Sequence, residues 1–412
     1  MSPEQPASAV AVERGIVRLA PLVFGVLLAA LAGLQAPRAE DRLLLLQFAL
    51  VIGVVGLTAL LLLRVSRRPI RLPGRLWSWL VLILASGSVS MAMSPSPVDA
   101  LPRAALYAAL VLLAVAVYGI AKAPTWSLAP WLCAIVASSG AFVLVALVDM
   151  APHLPPFQGQ HVGTFVNVRR MAAVAFLVAA AAGGLGLLNQ RLRVAAVAGT
   201  ALMLVVIMAS GSRGPLLAWL LFAGIVILLS RRGRRRTFLV DALVAFLLAA
   251  AAVSTLHVSG AWQTPNVFVR VATTAAADGE GFSSGRVELW HTAVDDVWRA
   301  PWFGRGPDAF ALVEPMALVL HPHNVVLQLL MEFGVVGVLL LLGLAARSLL
   351  RAGARRVWQG CRRTRSGQLL SAILVAQAAL AMIDGPLYWL PALAQFAVCA
   401  GLWCAVVTDH QD

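Results

Sequence analysis

Charge is what this sequence most lacks: Asp, Glu, Lys and Arg make up 12% of 412 residues, whereas 60% are hydrophobic and the mean hydropathy is +0.87. A soluble chain carries roughly a quarter charged residues, so an ordinary soluble class is excluded and a membrane class follows. Cysteine is also sparse. Cys133, Cys361, Cys399 and Cys404 show no metal-ligand spacing, and none lies in the long polar stretch 256–322, which argues against a disulfide framework. Internal repeats, low-complexity tracts and Gly- or Ser-rich linkers are missing too, so the chain is not a string of tethered modules. Acidic residues number 18 against 32 basic ones, a net charge of +14. A nucleic-acid binder would gather such charge on a soluble surface; here it falls in short clusters between apolar runs, the pattern of membrane topology. No small-residue cleavage site follows the first apolar run, which reads as a retained span.

What is present is apolar sequence in helix-sized lengths. A spanning helix needs about 20 apolar residues because backbone groups cannot stay unpaired in hydrocarbon. About twelve segments qualify: 16–34, 43–63, 76–93, 104–121, 128–149, 170–188, 194–210, 214–230, 237–255, 324–346, 367–384 and 388–408. The expected fold is an all-α polytopic membrane protein with about 12 transmembrane helices. Spans 1–9 occupy 1–255, one large outer segment occupies 256–322, and spans 10–12 occupy 323–412. Arginine clusters at Arg64–Arg75, Arg191 and Arg193, Arg231–Arg236 and Arg347–Arg365 all fall on one side. That side is cytoplasmic by the positive-inside rule, and an even number of spans puts both termini there. The large segment then faces out, with Trp262, Trp290, Trp298 and Trp302 available to anchor short helices at the interface.

Against the inner excess, the outward arginines stand out: Arg169, Arg170, Arg213, Arg270, Arg286, Arg299 and Arg305, with Arg38, Arg42 and Arg103 in the first two outer loops. Arg213 lies in the tight Ser210-Gly211-Ser212-Arg213-Gly214-Pro215 turn between two apolar runs. A guanidinium there either snorkels to headgroups or grips an anion, for which its planar fork of donors matches phosphate oxygens. His323, in His321-Pro322-His323-Asn324 just before a span, either bonds locally at the helix start or serves as a general base, its ordinary pKa near 6.5 suiting proton abstraction. Metal binding by His321 and His323 is disfavoured, since residues two apart share no helix face and no Cys or acidic partner flanks them. Glu40-Asp41 reads as a solvated loop pair before a metal site, and Asp295-Asp296 as solvated. Asp241 and Asp384 lack the facing ionisable ladder of a proton relay. No metal and no cofactor is expected.

These residues fall into motifs. His323-Asn324 precedes Gly334-Val335-Val336-Gly337; Ser284-Gly285-Arg286 leads to Trp290; Pro301-Trp302-Phe303-Gly304-Arg305-Gly306 follows; Ser212-Arg213-Gly214 and Gly163-Thr164-Phe165 with Asn167 lie upstream. Over roughly 160–345 the chain resembles the O-antigen ligase family, within the O-antigen ligase and polymerase-like membrane proteins. It departs from that pattern at Val168-Arg169-Arg170, where the family usually has Pro-Asn.

The resemblance implies a GT-C-like glycosyltransferase that moves O-antigen from undecaprenyl pyrophosphate to lipid A–core oligosaccharide at the periplasmic face of the bacterial inner membrane. It implies Arg213 and Arg286 as the pyrophosphate grip and His323 as the general base, with Arg170, Asn324 and Trp290 as further substrate contacts. Two rivals stand beside it. An O-antigen polymerase would use a lipid-linked glycan as acceptor, but the His-Asn to G-x-x-G spacing favours the ligase. A transporter should show repeat-related halves with matching broken spans, and none is visible.

Overall fold

A computed structural model describes residues 7–34, 52, 55–56, 58–59, 74–150, 168–259, 265–275, 286–313, 321–385 and 388–408. Among them the regular structure is entirely helical: α1 (Ala7–Leu34), α2 (Gly74–Ala92), α3 (Pro97–Ala121), α4 (Ala129–Met150), α5 (Val168–Leu188), α6 (Arg193–Ala209), α7 (Arg213–Leu229), α8 (Arg232–Val258), α9 (Val267–Ala275), α10 (Arg286–Arg299), α11 (Ala309–Val313), α12 (Val325–Ala352), α13 (Ala354–Arg363), α14 (Arg365–Ala381) and α15 (Leu390–Val407). Seven of the described helices are long and apolar enough to cross a bilayer, and three shorter apolar stretches lie in α1, α2 and α7. The chain is a multi-pass membrane protein. Most of the expected span at 43–63, together with Glu40-Asp41, Trp262, Gly163 to Asn167 and Ser284-Gly285, lies outside the described residues.

Helix α5 is the axis of the bundle. Its sequence, VRRMAAVAFLVAAAAGGLGLL, lacks polar residues after the first turn and is rich in Ala and Gly, so neighbouring helices approach closely on every side. At Gly186 an added Cβ would sit 2.9 Å from Ala196 on α6. Helices α4, α6 and α7 pack against α5, α8 against α6, α14 against α7, and α15 against α3 and α14. At one end lie the arginine-rich turns, where Arg193 pairs with Asp241 at 2.8 Å and Arg365 donates to Leu187 O at 3.3 Å. The opposite end gathers the starts of α5, α7, α12 and α15 with the end of α14, and the motif residues lie there.

Two expectations change. The segment 94–103 is not an outer loop: Pro97 opens α3 behind Ser96, with Pro preorganised for the first helical turn. Arg103 therefore lies on a helix, 2% exposed, paired with Asp308 at 2.8 Å. Nor is Asp296 solvated. It is 4% exposed and paired with Arg305 at 3.4 Å, while Asp295 faces out.

Helix α12 is broken at Gly334, whose φ of +62 suits glycine alone. The Pro301 to Gly306 loop is inserted at the break. Val335 and Val336 N–H donate to Pro301 and Trp302 carbonyls at 2.8 and 3.0 Å, and Arg305 and Gly306 N–H donate to Met331 and Glu332 carbonyls at 2.7 and 3.1 Å. The loop thus completes the hydrogen bonding that the helix abandons. A Cβ at Gly334 would overlap the loop backbone at Trp302 and Phe303.

Candidate functional site

His323 lies one residue before the Asn324 cap of α12 and has a φ of +54. That left-handed backbone is uncommon for histidine and turns the ring back toward the α14–α15 connection. There His323 Nδ1 lies 3.0 Å from Asp384 Oδ1. Asp384 is 3% exposed, and its Oδ1 also accepts from Gly385 N–H at 2.9 Å. Burial pushes the Asp384 carboxyl up, but the hydrogen bond and charge of His323, the Arg286 charge and the Gly385 amide together hold it below the ordinary value. An ionised Asp384 accepts the proton of Nδ1–H, which leaves His323 Nε2 with a free lone pair.

His321 has a different job. It is 4% exposed, its ring stacks on Tyr388 at 4.7 Å, and its Nδ1 accepts the backbone N–H of His323 at 3.3 Å. Burial, then the neighbouring His323, pushes its pKa down to about 3. It is a neutral packing group that shapes the His323 turn.

The connection that carries Asp384 is held from α3. Arg103 donates to Asp308 Oδ1 at 2.8 Å and to Tyr388 O at 3.1 Å, and its guanidinium covers the Tyr388 ring at 4.1 Å. Behind Asp308, the 1% exposed Glu332 accepts from Tyr107 OH at 2.9 Å, Gln328 Nε2 at 3.1 Å and Asp308 N–H at 3.3 Å. Four segments, α3, the Asp308 turn, α12 and the α14–α15 connection, are locked together around the histidine turn.

Arg286, whose charge acts on Asp384, belongs to a set of guanidinium groups from four elements. Arg213 is the first residue of α7, Arg286 the first of α10, Arg270 lies in α9 and Arg169 near the start of α5. Burial, then the charges of Arg169, Arg213 and Arg286, holds Arg270 below its ordinary value. Arg286 is lowered in the same way by burial and by Arg169 and Arg213, with Asp384 opposing. Four like charges share one field, an arrangement suited to a polyanion. Arg270 also donates to Gly211 O at 3.3 Å. Gly211 has φ +68, and a Cβ there would meet Arg270 Cδ at 2.6 Å, so glycine leaves room for that side chain in the Ser-Arg-Gly turn.

The remaining expected contacts divide. Arg170 lies at the same end, its guanidinium 5.1 Å from the Trp389 ring centre. Trp290 Nε1 donates to Pro322 O at 3.0 Å, so it fastens the histidine turn to α10. Asn324 is the N-cap of α12, its side-chain oxygen accepting from Val326 and Leu327 N–H at 3.0 and 3.1 Å. The cap uses Oδ1 alone, so this structural role stands beside the expected role at the substrate. Missing from the expected set were Asp384, Arg169 and Arg270. Asp384 follows the fourteenth helix with no motif around it, and only the requirement that a catalytic histidine have an orienting partner could have pointed to it.

Residues 198–342 match the O-antigen ligase family model. This region belongs to the O-antigen ligase family. The match runs from α6 into α12, and so contains Arg213, Arg270, Arg286 and His323 but not Asp384. A search of curated proteins gives no match. The family points to a membrane enzyme of glycosyl-transfer type in O-antigen and lipopolysaccharide processing.

Proposed function

We propose that the chain is an O-antigen ligase, transferring O-antigen from undecaprenyl pyrophosphate to lipid A–core oligosaccharide at the periplasmic face of the inner membrane. The carrying observation is the His323–Asp384 pair, coupled through the charge of Arg286 to a group with Arg169, Arg213 and Arg270. The arginine-rich turns at the other end support a cytoplasmic assignment for that end and for both termini.

In this reading the arginine group holds the donor pyrophosphate. As the sugar C1–O bond breaks, negative charge grows on the leaving phosphate, and preplaced guanidinium groups stabilise it without reorganising. His323 Nε2 removes the proton of the acceptor hydroxyl while Asp384 stabilises the imidazolium that forms. The hydroxyl oxygen attacks C1 from the side opposite the departing pyrophosphate, so the anomeric centre inverts. Removing one such donor costs about 2.7–4 kcal/mol of transition-state stabilisation in comparable sites, which sets the effect expected for Arg213→Ala or Arg286→Ala.

The test is ligation by purified protein, with lipid A–core and lipid-linked glycan offered as rival acceptors, in EDTA. Transfer to lipid A–core without divalent ions supports the proposal. Transfer only to the lipid-linked glycan makes the chain a polymerase, and an absolute divalent-metal requirement overturns the arginine mechanism.

A further inference from the structure

Helix α10 carries three kinds of surface. Ala293 and Asp296 are buried toward α12, and Glu288, Thr292, Asp295 and Arg299 occupy a polar flank. The third surface is an exposed stripe of Val287, His291, Val294 and Trp298, spaced as neighbours on one helical face. Trp298 is 75% exposed, and Trp302, just beyond the helix, is 66% exposed. Among the described residues, none buries this surface.

Its level along the bundle decides what covers it. Trp302 O accepts from Val336 N–H, which lies roughly 16 Å along α12 from Val325 at the helical rise per residue. On the neighbouring helix α2, Ser86 faces Gly337, roughly 9 Å short of the helix end at Ala92 by the same rise. The apolar span of α12 runs 26 residues, Val325–Leu350, longer than a hydrocarbon core of about 30 Å requires. Both helices therefore place Trp302 below the level at which they leave the bilayer. At that depth an exposed indole has lipid for a neighbour. On α2 itself Val89 is 41% exposed, and Met93 just beyond its end 49%.

The geometry points to α10 and the Trp302 loop as a lipid-seated element: the Val287–Val294–Trp298–Trp302 stripe rests in the acyl region of the leaflet on the site side, with the polar flank toward water. Arg286, which begins this helix, is then held at the headgroup level of that leaflet, where the phosphates of any lipid-linked substrate lie. The inference rests on the membrane assignment and not on the ligase reading, so it stands or falls separately.

The test uses the full chain in native membrane vesicles, with the photocrosslinker benzoylphenylalanine at Trp298, at Trp302 and, as control, at Glu288 on the polar flank. Phospholipid adducts are expected at Trp298 and Trp302 and not at Glu288, with or without added lipid-linked donor. Absence of lipid adducts at both positions overturns the proposal. So do adducts that form only when donor is supplied, which would make the stripe a track for the donor tail. A second measurement uses mild variants. Wild-type protein in dibrominated phospholipid should lose a larger share of its tryptophan emission than the Trp298→Phe/Trp302→Phe variant, and equal quenching overturns the seat.

Discussion

Removal of Asp384 is the perturbation that most directly examines the proposed chemistry. Its Oδ1 accepts from His323 Nδ1–H at 3.0 Å and from Gly385 N–H at 2.9 Å. Asp384→Asn keeps an oxygen for these donors but loses the charge. The difference between charged and neutral hydrogen bonds is about 1–1.5 kcal/mol, so kcat should fall roughly tenfold. Asp384→Ala leaves both donors without an acceptor at a buried position. With about 1–3 kcal/mol for each group left unsatisfied, kcat should fall roughly a hundredfold or more. The informative assay is a double-mutant cycle, with ligation rates of purified wild type, His323→Ala, Asp384→Ala and the double variant. If Asp384 acts through His323, His323→Ala alone should cost about 10²–10⁴, and Asp384→Ala should add little on that background. A parental rate for Asp384→Ala, or fully additive losses, would refute a working pair.

Three further outcomes follow from the packing. Gly334→Ala forces a side chain into the loop backbone at a φ of +62; where Gly-to-Ala at an ordinary helix position gains about 1 kcal/mol, this variant should lose about 1–3 kcal/mol or more of stability in detergent, and a parental melting temperature would contradict the inserted loop. His321 takes up a proton near pH 6.5 when unfolded but only at about 3 when folded. Folded stability should therefore fall as pH drops below 6.5, by up to about 1.4 kcal/mol per unit; His321→Phe should flatten that slope in pH-dependent melting. Arg103→Met should destabilise by about 3–5 kcal/mol because it strands the Asp308 carboxylate, whereas Arg103→Met/Asp308→Asn, which removes the charge and keeps a residue that tolerates the φ of +60, should recover part of the loss. Melting of the two variants side by side checks this.

The apolar helices were legible because a bilayer accepts few other solutions, and boundaries such as Ala209 and Arg213 around the Ser-Arg-Gly turn follow from local chemistry. Arg213 and Arg286 could be picked out because they lie at the end opposite the arginine-rich turns, and His323 because it stands just before an apolar run. Their partners could not. Asp384 meets His323 through the docking of α15's approach against α12, a contact between distant segments that leaves no periodicity in either. Arg103 looked like a loop arginine because its neutralising carboxylate, Asp308, is supplied by another segment far along the chain. Asn324 carries a role that attention to the neighbouring histidine passed over: an Asn just before an apolar helix is first of all a cap.

The loop lodged in the break of α12 also constrains the order in which the chain can be assembled. A helix interrupted at Gly334 enters hydrocarbon with Val335 and Val336 N–H lacking helical acceptors, at a cost of several kcal/mol for each unsatisfied group. The carbonyls that relieve them belong to Pro301 and Trp302, which are synthesised before α12 emerges. The loop can therefore act as a template waiting at the membrane, and the tenth predicted span becomes a stable insert only in its company.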